Sequence, residues 1–211
     1  MTEEGKEHMT TFCMQPGVIH SDKVIVQSEA MKKVYVDILT ENFGEETRSR
    51  WEAKILGLGS PKLDKVNSTT AEDYEIPEEW KRVLYDADGC MKKVILYNTS
   101  VSSLLKHEEK MLAKMRRVFE IFYEARDEVA LLWRPHPLIK ATIESMRPKL
   151  WEEYEKLVNE YRSASWGIYD DTADLNRALE LADAYSGDPS SLVQLCQEKG
   201  MPIMVQNVEV E

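Results

Sequence analysis

From residue 92 onward, short apolar runs alternate with longer amphipathic stretches. Lys92-Lys93-Val94-Ile95-Leu96-Tyr97 predicts a buried strand, and Asn98-Thr99-Ser100 reads as the polar turn that ends it. Leu105, Met111, Leu112, Met115, Val118, Phe119 and Phe122 then recur at helical spacing, which predicts one long amphipathic helix. The pattern repeats with short connections. Val129 to Trp133, Ser165 to Tyr169, Ala184-Tyr185 and Pro202 to Val205 read as strands. Leu150 to Tyr161, Asp174 to Leu181 and Pro189 to Lys199 read as helices, the last closed by Gly200. Strands that alternate with helices pair in parallel through right-handed crossovers. The expected fold class is α/β, a Rossmann-like doubly wound parallel sheet.

The first half of the chain is less regular. Residues 1–19 show no clear periodicity and are expected to be loose. Residues 20–64 hold a βαβ unit. Its strands are Lys23 to Ser28 and Lys54 to Gly59, and its helix carries Met31, Val34, Tyr35, Ile38 and Leu39 between a Ser28 cap and a Gly44 stop. Residues 65–91 lack a strong strand and are rich in acids, so they read as a linker, with a short helix starting near Ile76-Pro77-Glu78. Residues 92–211 then form the main domain.

Charge narrows the choice of partner. A formal net charge of −11 argues against a nucleic-acid binder, because phosphate backbones are held mainly by Lys and Arg. A small anion needs only a local positive site, so it stays open. Three cysteines far apart match no zinc or disulfide framework, and a reducing cytoplasm is the expected setting. No 18-residue apolar run is present, and the acidic start Thr2-Glu3-Glu4 does not read as a secretory signal.

Candidate chemistry clusters where strands stop. Arg134-Pro135-His136-Pro137 sets an imidazole between two prolines that force an extended backbone. Arg134 can fork two hydrogen bonds to a phosphate, and His136 can donate to a phosphate oxygen or protonate a leaving group. In Gly187-Asp188-Pro189-Ser190-Ser191, Asp188 reads as the N-cap and Pro189 as the first helical residue. Ser190 and Ser191 then fall among free amides that attract anions, although an ordinary capped helix explains the same residues. Asn98, Thr99 and Ser100 are a second hydroxyl-rich turn, either a phosphate contact or a plain helix cap. Neither a GxGxxG nor a GxxxxGK[ST] pattern is present. Asp170, Asp171 and Asp183 can be read as a Mg²⁺ cluster, against which Asp171 also suits a helix cap; no metal site is expected.

In their order along the chain, Gly59-Ser60-Pro61-Lys62-Leu63-Asp64, Val94 to Ser100, Arg134-Pro135-His136-Pro137 and Asp183 to Ser191 resemble the CDP-glycerol glycerophosphotransferase family over roughly residues 20 to 207. Its members are bacterial enzymes of GT-B architecture, best known from teichoic acid synthesis. The resemblance implies the C-terminal half of a GT-B glycosyltransferase, with residues 20–64 a remnant of the N-terminal domain. It implies that His136, Ser190 and Ser191 lie at the donor diphosphate; on that reading His136 and Arg134 are the candidate catalytic residues, neutralising charge on the leaving CMP, and Asn98, Thr99 and Ser100 are further candidate diphosphate contacts. It implies that Asp171 and Asp174 lie near the nucleoside. The donor would be a CDP-alcohol, with no further cofactor, working in the cytoplasm or at the cytoplasmic face of the membrane. Two departures stand out. The family's Thr-Asp-Tyr-Ser-Ser is altered here to Ser186-Gly187-Asp188-Pro189-Ser190-Ser191, and the acceptor-side general base has no counterpart, since His20 lies outside its motif. A separate acceptor-domain subunit would supply it. The alternatives are a non-catalytic nucleotide-binding or partner-assembly module, or a transferase for another nucleotide-sugar donor.

Overall fold

A computed structural model describes residues 3–206 and Val208. The chain divides into two compact units, residues 1–65 and 66–211.

In the first unit, α1 (Glu3–Cys13) and α2 (Pro16–His20) occupy the stretch expected to be loose. The reason is local burial: Cys13 is fully buried, and Met9, Val18 and Ile19 pack on the same core as Leu39 and Trp51. Too few apolar positions carry that contact to register as a periodicity. Strand β1 (Val24–Ile25) pairs in parallel with β2 (Ile55–Leu56), both shorter than the sequence suggests. Between them run α3 (Glu29–Phe43) and α4 (Arg48–Lys54). Ser28 caps α3 by accepting from the Met31 amide at 3.1 Å, and Gly44 ends it at φ +101°, both as expected.

Helix α5 (Pro61–Ser68) is followed by α6 (Glu78–Leu84), the short helix expected near Ile76-Pro77-Glu78 within the stretch read as a linker. Trp80, Val83 and Leu84 of α6 are buried, so this segment belongs to the packed body of the second unit. The unit's sheet comprises β3 (Lys93–Thr99), β4 (Val129–Pro135), β5 (Ile168–Tyr169), β6 (Ala184–Gly187) and β7 (Ile203–Val205). All five strands are parallel, in the order β5-β4-β3-β6-β7. Strand order reverses between β3 and β6, which is where open α/β sheets hold ligands.

The central strands are apolar on both faces, as a sheet covered on both sides requires. Ile95, Tyr97, Leu131 and Trp133 face a core built with α7 (Val101–Glu124), α8 (Ile139–Met146) and α9 (Pro148–Ala164). On the opposite face Val94, Leu96, Ala130 and Leu132 are equally buried. Helix α10 (Leu175–Leu181) contacts β3, and α11 (Ser191–Glu198) contacts β6 and β7. Trp133 anchors an aromatic cluster with Phe119, Tyr154, Tyr161 and Tyr169. These rings prefer tilted and edge-on contacts over flat stacking.

Two details matter for the site. Asn98 and Thr99 continue β3 rather than turning, because they pair in register with Arg134 and Pro135 of β4. Helix α7 is broken at Glu108, with φ +44° and ψ −119°. Such a conformation costs a non-glycine residue roughly 1–3 kcal/mol. Arg147 Nε holds the Glu108 carboxylate at 3.0 Å. All three cysteines are free, and among the described residues no helix is long and apolar enough to cross a membrane.

Candidate functional site

The C-terminal ends of β4 and β5, with α8 and α9, enclose a cavity of about 360 Å³. His136, Lys140, Trp151, Glu155, Tyr169 and Asp171 are among the side chains that line it. His136 is exposed at its rim. Its backbone amide donates to Thr99 O at 2.9 Å, which docks the loop against the end of β3. Its Nδ1 accepts from the Leu138 amide at 3.2 Å. In the neutral ring the proton then sits on Nε2, the nitrogen available to a ligand. The imidazole between the two prolines is thus exposed, with its Nδ1 edge held by the chain that follows it.

Arg134 is placed differently from its expected use. Its Nη1 donates to the fully buried Asp170 carboxylate, and its Nη2 donates to Thr172 O at 2.8 Å. Both arms of the fork are therefore spent inside the protein. Asp170 also accepts from the Thr172 amide at 3.1 Å and hydroxyl at 2.6 Å, and faces Arg177 at 3.6 Å. Arg177 lies over the Trp80 ring at 4.2 Å and donates to Thr172 Oγ1 at 3.0 Å. A buried carboxylate between two guanidinium groups satisfies its charge without solvent. This network pins the loop after β5 to the end of β4. Nothing in the spacing of Arg134, Asp170 and Arg177 announces it, since the three meet only when β4 and β5 pair.

Asp171 and Asp174 part company. Asp171 is exposed on the cavity wall, 3.8 Å from Arg162. It is not the helix cap; Asp174 is, accepting from the Arg177 amide at 3.0 Å. Burial, with the Asp171 charge added, pushes the Tyr169 hydroxyl up to about 12. Tyr169 therefore lines the cavity as a neutral ring.

Across the switch point, Ser190 rather than Asp188 caps α11, its Oγ accepting from the Leu192 amide at 3.2 Å. Pro189 accordingly lies outside the helix. Asp188 turns inward because Gly187 brings β6 against β3: a Cβ there would stand 2.2 Å from Asn98 O. Buried in this way, Asp188 accepts the Ser100 amide at 2.7 Å and sits 3.6 Å from Lys114 Nζ. Burial holds the Lys114 ammonium below its ordinary range, and Asp188 offsets part of that effect. Lys114 escaped the sequence reading because it looks like any solvated lysine on α7. Ser191 is exposed at the first helical position.

Asn98, Thr99 and Ser100 are buried, and their side chains are engaged within the protein. Asn98 Nδ2 donates to Arg134 O at 2.8 Å, and Thr99 Oγ1 accepts from Trp133 Nε1 at 3.1 Å. Ser100 Oγ caps α7 by accepting from the Ser103 amide at 3.1 Å. These three residues hold β3, β4 and α7 in register. Among the described residues no group of three or more His, Cys, Asp or Glu is arranged to hold a metal ion.

No protein-family model matches the sequence, and no curated protein matches it. Among solved structures, the chain is similar to the Methanocaldococcus jannaschii UDP-GlcNAc 2-epimerase in complex with UDP-GlcNAc and UDP. That likeness has a TM-score of 0.53 at 14% identity and covers 89% of this chain and 46% of the epimerase. The wall teichoic acid polymerase TagF overlaps at a TM-score of 0.43 and 16% identity, over 97% of this chain and 41% of the polymerase, too loosely to argue from. The chain thus spans less than half the length of either. What the first likeness shows is the fold: this is a mixed α/β chain of GT-B type, built on a wholly parallel five-stranded sheet.

Proposed function

We propose that the chain binds a nucleoside diphosphate donor, as the donor-side part of a transferase that moves a glycerophosphate-type group from a CDP-alcohol to an acceptor hydroxyl in cell-surface polymer synthesis. The observation that carries this reading is the cavity at the ends of β4 and β5, with His136 on its rim. The exposed Ser191 and the cap Ser190 lie two strands away. Two strand spacings are roughly 10 Å, the reach of a ribose and diphosphate. The nucleoside would enter between Trp151 and Tyr169, with Asp171 at its sugar. His136 Nε2 and the amides at the start of α11 would meet the phosphates. Arg134 contributes by holding the loop in place through Asp170.

In the reaction, an acceptor oxygen bonds to the β-phosphorus while the bond from phosphorus to the CMP oxygen breaks. His136 stabilises the charge that develops on CMP. The acceptor proton passes to a base on a separate acceptor domain, a partner this reading requires. No metal or other cofactor takes part. The choice of cytidine rests on the sequence motifs. A uridine donor is the second reading, favoured by the neighbour of similar fold that is in complex with UDP-GlcNAc and UDP.

Calorimetric titration with CDP and UDP tests both. The expected result is saturable CDP binding that weakens about tenfold in His136→Ala, the loss of one hydrogen bond to a charged group. Preference for UDP would favour the second reading. A His136→Ala protein that binds CDP as the parent does would sink the site assignment.

A further inference from the structure

Tyr185 stands on β6 and is almost wholly buried. Its hydroxyl donates to Asp188 O, in the loop that leads to α11. Asn98 Oδ1, on β3, lies 3.4 Å away as a second acceptor of the same proton. Ser190 Oγ also lies 3.4 Å from the phenol and, since the phenol gives its proton to Asp188, the serine is the donor there. Burial pushes the Tyr185 hydroxyl up to about 12, although the Ser190 hydrogen bond works against it, so the phenol keeps its proton at neutral pH.

Asn98 carries the connection one strand further. Its Nδ2 donates to Arg134 O on β4 at 2.8 Å. A carbonyl can only accept, so this bond fixes which way the amide faces and leaves Oδ1 toward Tyr185. Arg134 lies two residues before His136, whose own amide is held by Thr99 O, the next residue of β3. A run of hydrogen bonds thus passes from the Ser190 cap through Tyr185 and Asn98 to the strand end beside His136. Two other bonds fasten the same loop to the end of β3, from the Asp188 amide to Asn98 O at 3.0 Å and from the Ser100 amide to the Asp188 carboxylate at 2.7 Å. Neither involves Ser190. The phenol touches both Ser190 and the Asn98 amide.

We infer that Tyr185, acting through Asn98, is a positioning residue: its hydroxyl sets the start of α11 against the His136 loop and so fixes the spacing between the two parts of the nucleotide site. The inference rests on the reading that both parts hold one nucleoside diphosphate. Groups held at a fixed separation before binding favour a ligand that spans them, and a displacement on the order of 1 Å forfeits much of that gain. A nucleoside without phosphates fills the cavity at β4 and β5 alone and gains nothing from the spacing.

Tyr185→Phe keeps the buried ring and removes the hydroxyl. Calorimetric titration of the full chain with cytidine and with CDP, well below the melting temperature, reads the effect as a ratio. CDP affinity is expected to fall about tenfold, the worth of one hydrogen bond, while cytidine affinity stays as in the parent. A purely structural role would leave the ratio of the two affinities where it was. Amide-resolved NMR of the ligand-free variant should show shifts at both His136 and Leu192. Shifts confined to the Asp188 loop would mean that the run of bonds stops at Tyr185 and would overturn the coupling. So would a CDP-to-cytidine ratio equal to the parent's. A parent protein that binds neither compound fails the proposed function itself, and this inference with it. A parent that binds CDP no more tightly than cytidine overturns the spacing role while leaving the cavity as a nucleoside site.

Discussion

Asp188, on the loop after β6, accepts the backbone amide of Ser100, just past the end of β3, at 2.7 Å. The bond joins the two strand ends between which the sheet reverses its order. Its other carboxylate oxygen faces Lys114 at 3.6 Å, so one side chain holds an amide by a hydrogen bond and stands as counter-charge to a largely buried cation. Asp188→Ala strands both, and losing one partner of a buried pair costs about 3–5 kcal/mol. Urea denaturation should show that loss as a lower midpoint. Asp188→Asn keeps an acceptor for Ser100 and should lose less. Equal losses would mean that the Ser100 hydrogen bond adds nothing beyond the charge facing Lys114, and no loss in Asp188→Asn would mean that the charge is irrelevant.

The same junction makes Gly187→Ala costly. A Cβ at Gly187 would lie 2.2 Å from Asn98 O and 2.8 Å from Asn98 N, at a φ of +148°. The obstacle is backbone on a central strand, which cannot swing aside as a flexible side chain can. Overpacking of this kind costs about 1–3 kcal/mol or more. Gly17, with open space around it, is the control: Gly17→Ala inside α2 should be neutral or stabilising by about 0.5–1 kcal/mol. Similar midpoints for the two variants would refute the close approach.

Asp170 predicts a coupled effect on stability and binding. Its carboxylate balances Arg134 and Arg177 while bonding Thr172. Asp170→Asn is similar in size but leaves two guanidinium groups without their counter-charge, and should cost about 3–5 kcal/mol. Because Arg134 adjoins the His136 loop, nucleotide affinity measured well below the new melting temperature should fall as well. A variant that loses stability with CDP affinity intact would show that the network holds the fold without shaping the cavity.

Asp183 supplies a pH dependence with a definite sign. Burial alone would raise its pKa, but hydrogen bonds from Lys93 at 2.7 Å and the Val94 amide at 2.9 Å outweigh it, so the value falls below the ordinary 3.8. The folded form then binds its proton more weakly than the unfolded form. The stabilisation is fully present above the unfolded value and is lost as pH falls through the lower folded one. Melting temperatures of Asp183→Asn should therefore converge on those of the parent below about pH 4. A constant gap down to pH 2, near the foot of the carboxylate range, would exclude this titration as the cause.

How far the chain could be read in advance depended on how local each cause was. The strand at Val94, the long helix of Leu112 and Phe119, the Ser28 cap and the Gly44 stop all follow from neighbours within one or two turns. So does the alternation that gives a wholly parallel sheet. Placements that need a partner far along the chain were not legible. Helix α1 is held by a few buried residues, Cys13 among them, too sparse to form a pattern; the start of α6 near Pro77-Glu78 is legible, but the burial of Trp80 and Leu84 is not. Asn98 and Thr99 look like turn residues until β4 pairs beside them.

The sequence by itself determined the parallel α/β architecture and set His136 and Ser190-Ser191 at the ends of two of its strands. Periodicity and capping are properties of adjacent residues. Only the tertiary structure decided how the polar side chains divide their labour. It turned Arg134 inward to Asp170, moved the cap of α11 from Asp188 to Ser190, and drew Lys114 from an apparently solvated helix face to the buried Asp188. The physical reason is desolvation. A charged group buried by strand pairing must find its partner inside the protein, and which partner lies within reach is fixed by the meeting of β3, β4, β5 and β6.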